Sequence, residues 1–353
     1  MRNKSLDVAK AIAAFLVVCI HVSFPGEIGQ IIKVFARCAV PFFFMVSGYF
    51  CYYENNNAAV KIPFKIIHIL KLFAVSILFY FGWEYLMKVS GGGNAAEWIK
   101  ELTDIEHLKE FVFYNSTSPV RAHLWFLPAL IYCYAVDFCI EKLHIRKAAY
   151  CCIPILSVVL LWRAEFCRFA GGFYHTMEYR NFLFTGMSFY LMGQMIHEKQ
   201  DKLEQRLSES IERKLVAGIV SGIILSVLEY CLQGAREIYL GNCITVICLF
   251  IWLILYGRKK TFPQVLAEAG QKYAFPVYLI HPAVADAAKR ISGFTGISRI
   301  GCWLWLRPLC VYGMTLLIIY CIFRVNIYVK SCSHHEKCGI VFSKSYDRKT
   351  KLH

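Results

Sequence analysis

The sequence predicts an all-α protein: a polytopic helical integral membrane protein with about ten transmembrane helices. Three observations carry this reading. Of 353 residues, 58% are hydrophobic and 16% aromatic, more than an ordinary soluble domain carries. Apolar runs of about 15 to 22 residues recur along the chain, each long enough to cross a bilayer as a helix. Basic residues collect in short connections between those runs, as membrane topology requires. The formal charge of +15 is accounted for in that way. Nucleic-acid binding is excluded, because no module interleaves basic and aromatic side chains.

The runs fall at about 6–24, 33–52, 64–87, 123–140, 148–163, 181–197, 214–232, 239–256, 273–289 and 302–324. The fifth is short, and Pro276 and Pro282 interrupt the ninth. Alternate connections carry Lys61, Lys65, Lys142, Arg146, Lys147, Arg258, Lys259 and Lys260, the run from Lys199 to Lys214, and the basic tail. That side and both termini are expected to be cytoplasmic. The longest opposite loop, 90–122, opens on Gly91-Gly92-Gly93 and is rich in Glu, so it suits a cap over an extracytoplasmic cavity. No Lys-Ser/Thr follows those glycines, which argues against a phosphate cradle. Leu203, Leu207 and Ile211 recur every four residues among charges, predicting a surface amphipathic helix over 198–214. Residues 1–325 are expected to form one membrane domain, with no soluble domain appended. Residues 326–353 form a basic tail expected to be disordered or bound at the membrane surface.

Sixteen cysteines do not make a disulfide framework here. Most, including Cys19, Cys133, Cys139, Cys243, Cys248 and Cys321, lie in apolar runs, where Cys behaves as a small hydrophobe. No His/Cys/carboxylate group has ligand spacing, and the irregular Cys332, His334, His335, Cys338 set in the tail is not read as a metal site. The first run lacks a small-residue cleavage site and is retained as a helix.

That first run holds the main candidates, Asp7, Lys10 and His21. An ionisable group in a membrane segment is costly and by default points to function. Eleven residues at about 100° each give three turns plus about 20°, so Lys10 and His21 share a face. At about 1.5 Å per residue they stand roughly 16 Å apart along the axis. His21 has the intrinsic pKa of a general base acting near neutrality. Lys10 either snorkels or serves an anionic donor, with Asp7 as its partner. Arg37 faces a cavity or snorkels. Ser47-Gly48 allows close helix approach, and no nucleophile elbow surrounds Ser47. His123, Trp125, Arg180 and Asn181 open helices on the opposite side from Lys10. Trp125 is an interfacial anchor or a sugar-stacking ring, and Arg180 and Asn181 bind substrate or cap the helix. His281 lines a cavity where Pro282 breaks the helix, or hydrogen-bonds the carbonyl that Pro282 frees. Glu229 and Glu268 are weaker candidates.

Lys10 with ten intervening residues before His21, then Arg37-Cys38-Ala39-Val40-Pro41-Phe42-Phe43 and Ser47-Gly48-Tyr49-Phe50, resembles the acyltransferase-3 family. His123-Leu124-Trp125-Phe126-Leu127, Arg180-Asn181-Phe182 running to Gly193, and Tyr278-Leu279-Ile280-His281-Pro282 extend the resemblance over roughly residues 3 to 325. The family comprises bacterial membrane O-acyltransferases that modify cell-surface sugars. The resemblance implies an inner-membrane, multi-pass enzyme that takes an acyl group from cytosolic acetyl-CoA or another acyl-CoA, with no tightly bound cofactor. The acceptor would be a hydroxyl of an envelope glycan or lipid-linked sugar. His21 would be the catalytic residue, Lys10 and Asp7 would serve the donor, and Arg37, Ser47, His123, Trp125, Arg180 and His281 would bind substrate. Some relatives carry an attached transferase domain that hands the group onward, so a partner transferase is a further expectation. The rival reading is a transporter or export component, since intramembrane Lys, Asp, Arg and His also suit a proton-coupled carrier. No inverted repeat between the halves supports it.

Overall fold

The computed structural model describes residues 3–54 and 58–349, with side chains described as far as residue 325. It is all-helical, with no strand among the described residues. Two compact units divide the chain, Met1–Ala274 and Phe275–His353. The first holds α1 (Lys4–His21), α2 (Gly26–Ala36), α3 (Ala39–Tyr49), α4 (Ala58–Ser90), α5 (Ala95–Leu102), α6 (Ile105–Tyr114) and α7 (Phe126–Lys142). It continues with α8 (Arg146–Ala164), α9 (Ser188–Glu198), α10 (Gln200–Glu204), α11 (Glu209–Gln233), α12 (Leu240–Leu255) and α13 (Gln264–Lys272). The second unit contains nearly all of α14 (Ala274–Phe294), and α15 (Gly301–Lys349).

Each apolar run becomes helix. Among the described residues, six stretches are long and apolar enough to cross a membrane: Gly26–Tyr49, Ala58–Ser90, Ala122–Lys142, Arg146–Ala164, Glu209–Gln233 and Gly301–Val325. The expected disorder of residues 326–353 and the tail cysteines and histidines lie outside the described side chains.

Several boundaries depart from the sequence reading, each for a local reason. The second run is two helices, because the chain turns at Arg37-Cys38 before Pro41 can be accommodated in a first turn. The 90–122 loop is largely helical, with Asn94 and Asp104 capping α5 and α6 through their side-chain oxygens. The amphipathic helix over 198–214 is interrupted, since Ser208 caps α11 by accepting from the Ile211 N–H. The sixth run opens as π-helix over Phe182–Met187 before α9 begins; such segments recur at functional sites.

Pro282 does not break the ninth helix: α14 runs through it. Proline leaves the carbonyl four residues back, that of Tyr278, without its N–H. His281 supplies the substitute, donating from Nδ1 to the carbonyls of Tyr278 at 3.0 Å and Val277 at 2.9 Å.

Two close helix approaches position the site. Against α9, a Cβ at Gly48 of α3 would lie 1.9 Å from the Tyr190 carbonyl oxygen, and one at Gly193 would lie 2.0 Å from that of Met45. Only glycine allows backbones so near, as the Ser47-Gly48 pair suggested. Likewise, Gly270 brings α13 onto the Asp7 backbone of α1. At the start of α1, Asn3 caps Leu6, and Ser5 donates to the Leu253 carbonyl at the end of α12 at 2.9 Å.

Candidate active site

Helix α1 carries both main candidates without a break, so the shared face deduced from spacing holds in three dimensions. At one end Lys10 Nζ meets Asp7 Oδ1 at 3.2 Å and lies 5.1 Å from the centre of the Phe50 ring. Asp7 is buried, so its carboxylate needs this partner. His21 occupies the last position of the helix. Its side chain is exposed even though protein closes around it on several sides, which is the condition of a group lining a concavity.

The walls come from five separate segments. Arg37, at the α2–α3 junction, donates from Nη1 to Glu237 Oε2 at 2.6 Å. Arg180 Nη1 approaches the same oxygen at 3.5 Å, and its guanidinium lies 5.4 Å from the Trp125 ring centre. Arg121 pairs with Glu84 of α4 and covers Tyr80 at 5.4 Å. The His123 ring stands edge-on to His21 at 6.2 Å between centroids and to Tyr80 at 5.0 Å. Charges on Arg37, Arg180, Arg121 and Glu237 all act on His21. The result is a recessed imidazole ringed by three guanidiniums and two carboxylates. Chemically it can accept a proton from a bound hydroxyl and stabilise negative charge developing beside it.

Local structure fixes these side chains. Asn181 accepts from the Leu183 and Phe184 N–H groups at 3.0 Å, so it is the cap and Arg180 is the one that reaches the site. Trp125 is buried, in a 3-10 turn over Ala122–Trp125, with Arg180 on its ring. Ser47 donates to the Phe43 carbonyl at 2.8 Å, and it lies ten residues beyond Arg37, about 15 Å along the helical path. His281 belongs to the second unit and is engaged with its own helix, as described above. Glu229 accepts from the Gly241 N–H at 3.2 Å, a helix-capping role. Glu268 lies 3.7 Å from Lys272 one turn on. An apolar cavity of about 250 Å³ along α1, lined by residues such as Ile12, Leu16, Phe42 and Trp252, includes neither Lys10 nor His21.

Sequence reasoning missed Glu237, Glu84, Arg121 and Tyr80. Glu84 carried a signal, being an acid within a long apolar helix. Glu237 carried none, for it stands in an ordinary polar loop and acquires its role only when that loop meets Arg37. Asp137 was also overlooked. It is fully buried in α7, accepting from Tyr190 at 2.6 Å and Gln194 at 2.8 Å, and it ties α7 to α9.

Comparison with known proteins adds the family. A family model described as an acyltransferase domain matches residues 3–324, nearly the whole chain. An amino-acid racemase of Enterococcus faecalis is 27% identical over 291 residues, 77% of this chain and 39% of that protein. A serine/alanine racemase of Enterococcus gallinarum is 30% identical over 142 residues, 37% of this chain and 18% of that protein. The chain thus spans less than half the length of these curated relatives. No solved structure matches. The chain belongs to the acyltransferase-3 family.

Proposed function

We propose that the protein is an O-acyltransferase, in the first instance an O-acetyltransferase, moving an acyl group from cytosolic acyl-CoA to a hydroxyl of an envelope polysaccharide or lipid-linked sugar. The observation that carries this is α1 itself, one unbroken helix with a paired cation at one end and a recessed imidazole about 16 Å further along. In this reading ten helices cross the inner membrane of a bacterial cell, and both termini are cytoplasmic. Lys10 then faces the donor's anionic portion, held by Asp7, while His21 opens toward the acceptor.

His21 takes the proton from the acceptor hydroxyl as its oxygen attacks the thioester carbonyl carbon. The C–S bond breaks as the tetrahedral intermediate collapses, and the thiolate of coenzyme A recovers the proton from His21. Arg37, held by Glu237 at 2.6 Å, stabilises the intermediate's oxyanion. His123 and Trp125 shape the acceptor side. A partner transferase would be required only if the acceptor does not reach His21 directly.

The test is transfer of label from radiolabelled acetyl-CoA by membranes containing the protein, with an envelope extract as acceptor. Wild type should label glycan or lipid, and His21→Ala should reduce this by at least about 100-fold, the scale of general-base catalysis. Equal labelling by both proteins would remove His21 from the mechanism.

A further inference from the structure

We infer that the acceptor is anionic, a hydroxylated molecule carrying a carboxylate or phosphate close to the hydroxyl that is acylated, and that Arg180 binds that anion. The inference rests on the acyl-transfer reading for the ligand's role, but not for its charge. The charges around His21 do not cancel. Arg37 and Arg121 each have a carboxylate partner in hydrogen-bond contact, Glu237 and Glu84. Arg180 is the third guanidinium, and it reaches only the already engaged Glu237 oxygen, at 3.5 Å through Nη1. One positive charge is therefore left over in this group, and it lies on Arg180.

The rest of its guanidinium is poised for a ligand. Nε is buried and has no hydrogen-bond partner among the described residues. With Nη1 turned toward Glu237, the opposite edge of the fork, Nε and Nη2, remains for a two-pronged contact with an oxyanion. A third of the side chain is accessible, at 32%, while Nε itself is covered. Nor is the arm free to swing away. Trp125 lies under the guanidinium, and the backbone beside it is pinned, Arg180 N–H donating to Thr176 at 2.8 Å and Asn181 capping the π-helix. A structural ion pair would not need a buried, unfilled donor. Trp125, under Arg180, is two residues from His123, whose ring stands 6.2 Å from that of His21, so an anion held there brings its neighbouring hydroxyl to the imidazole's side of the site.

Binding to the full-length protein in detergent, followed by intrinsic tryptophan fluorescence, tests this without any acyl transfer. The probes are trigalacturonate against its carboxyl-reduced trisaccharide, and glucose 6-phosphate against glucose. Wild type should bind at least one anionic probe about tenfold or more tightly than its neutral counterpart, as expected for a charge-assisted pair of hydrogen bonds. Which pair shows the preference tells carboxylate from phosphate. Arg180→Gln should bring the ratio to about one, and Arg180→Lys, which keeps the charge and loses the fork, should fall between. No anionic preference in wild type, or a preference that survives in Arg180→Gln, overturns the proposal. Should the Gln variant not fold, the wild-type ratio and the Lys variant decide. Failure of label transfer with an intact anionic preference would count against acyl transfer alone.

Discussion

Replacing Gly48 or Gly193 by Ala tests whether the α3–α9 contact sets the geometry of the site. A Cβ at Gly48 would stand 1.9 Å from the Tyr190 carbonyl oxygen, where 3.0 Å is the closest that real contacts allow. The helices must therefore part by about 1 Å, since backbone opposes the new atom on both sides. Gaps of 0.5–1 Å forfeit about a quarter to a half of the dispersion energy of the contacts they open, so a cost near the upper end of overpacking, about 3 kcal/mol, is expected. Ala gains about 1 kcal/mol over Gly in helix propensity, leaving each single variant about 2 kcal/mol less stable. Once the pair has opened, the second methyl meets little resistance. The double variant, with one opening cost and two propensity gains, should then be only about 1 kcal/mol less stable than wild type, a coupling of about 3 kcal/mol. Unfolding in mixed micelles followed by far-UV circular dichroism measures all four proteins. A double variant that loses about 4 kcal/mol, or single variants within about 0.5 kcal/mol of wild type, would refute the reasoning. Activity should fall with the single changes, because Arg180 is already 3.5 Å from Glu237 and a further ångström ends that contact.

Two further outcomes follow from groups away from His21. Burial pushes the Glu165 carboxyl above its ordinary value of 4.5, partly opposed by the Leu240 N–H that donates to it at 3.2 Å. Its folded-state value being raised, its contribution to stability is complete below about 4.5 and is lost as pH rises through the folded value. Glu165→Gln keeps the acceptor oxygen, so it should match or exceed wild-type thermal stability at pH 7 and flatten the decline above pH 4.5. A variant less stable by more than about 1 kcal/mol at pH 7 would contradict this. His281→Ala removes the donor that stands in for the missing N–H at the Tyr278 carbonyl and should cost about 1–3 kcal/mol. Adding Pro282→Ala restores an N–H for that carbonyl and should recover most of the loss, with turnover per folded molecule unchanged. Lost turnover in a stable double variant would instead make His281 part of the site.

How much of this was legible in the sequence depends on the range of each interaction. Periodicity and apolar run length are local properties, so the helices and the shared face of Lys10 and His21 could be read directly, as could Asp7 as the partner of Lys10. Gly48 was legible as a contact residue because only one class of environment demands the absence of a side chain. Breaks decided by one hydrogen bond were not, and the same residues served either outcome. Pro282 should end a helix unless a neighbour replaces its missing N–H, and His281 does so. Ser208 is compatible with a continuous amphipathic helix until its side chain turns to cap α11. The acidic half of the site was least legible. Glu84 is 37 residues from Arg121, and Glu237 is 200 residues from Arg37, so no local pattern links either pair. In the proposed reading these acids decide what the site can bind. Three arginines alone suggest a broadly anion-loving funnel, whereas two neutralised arginines and one that is not suggest a single anionic group held in one place. In the proposed reading the specificity of the site therefore lies in Arg180, which has only a share of the Glu237 carboxylate that Arg37 already holds, an arrangement held only by the folded chain.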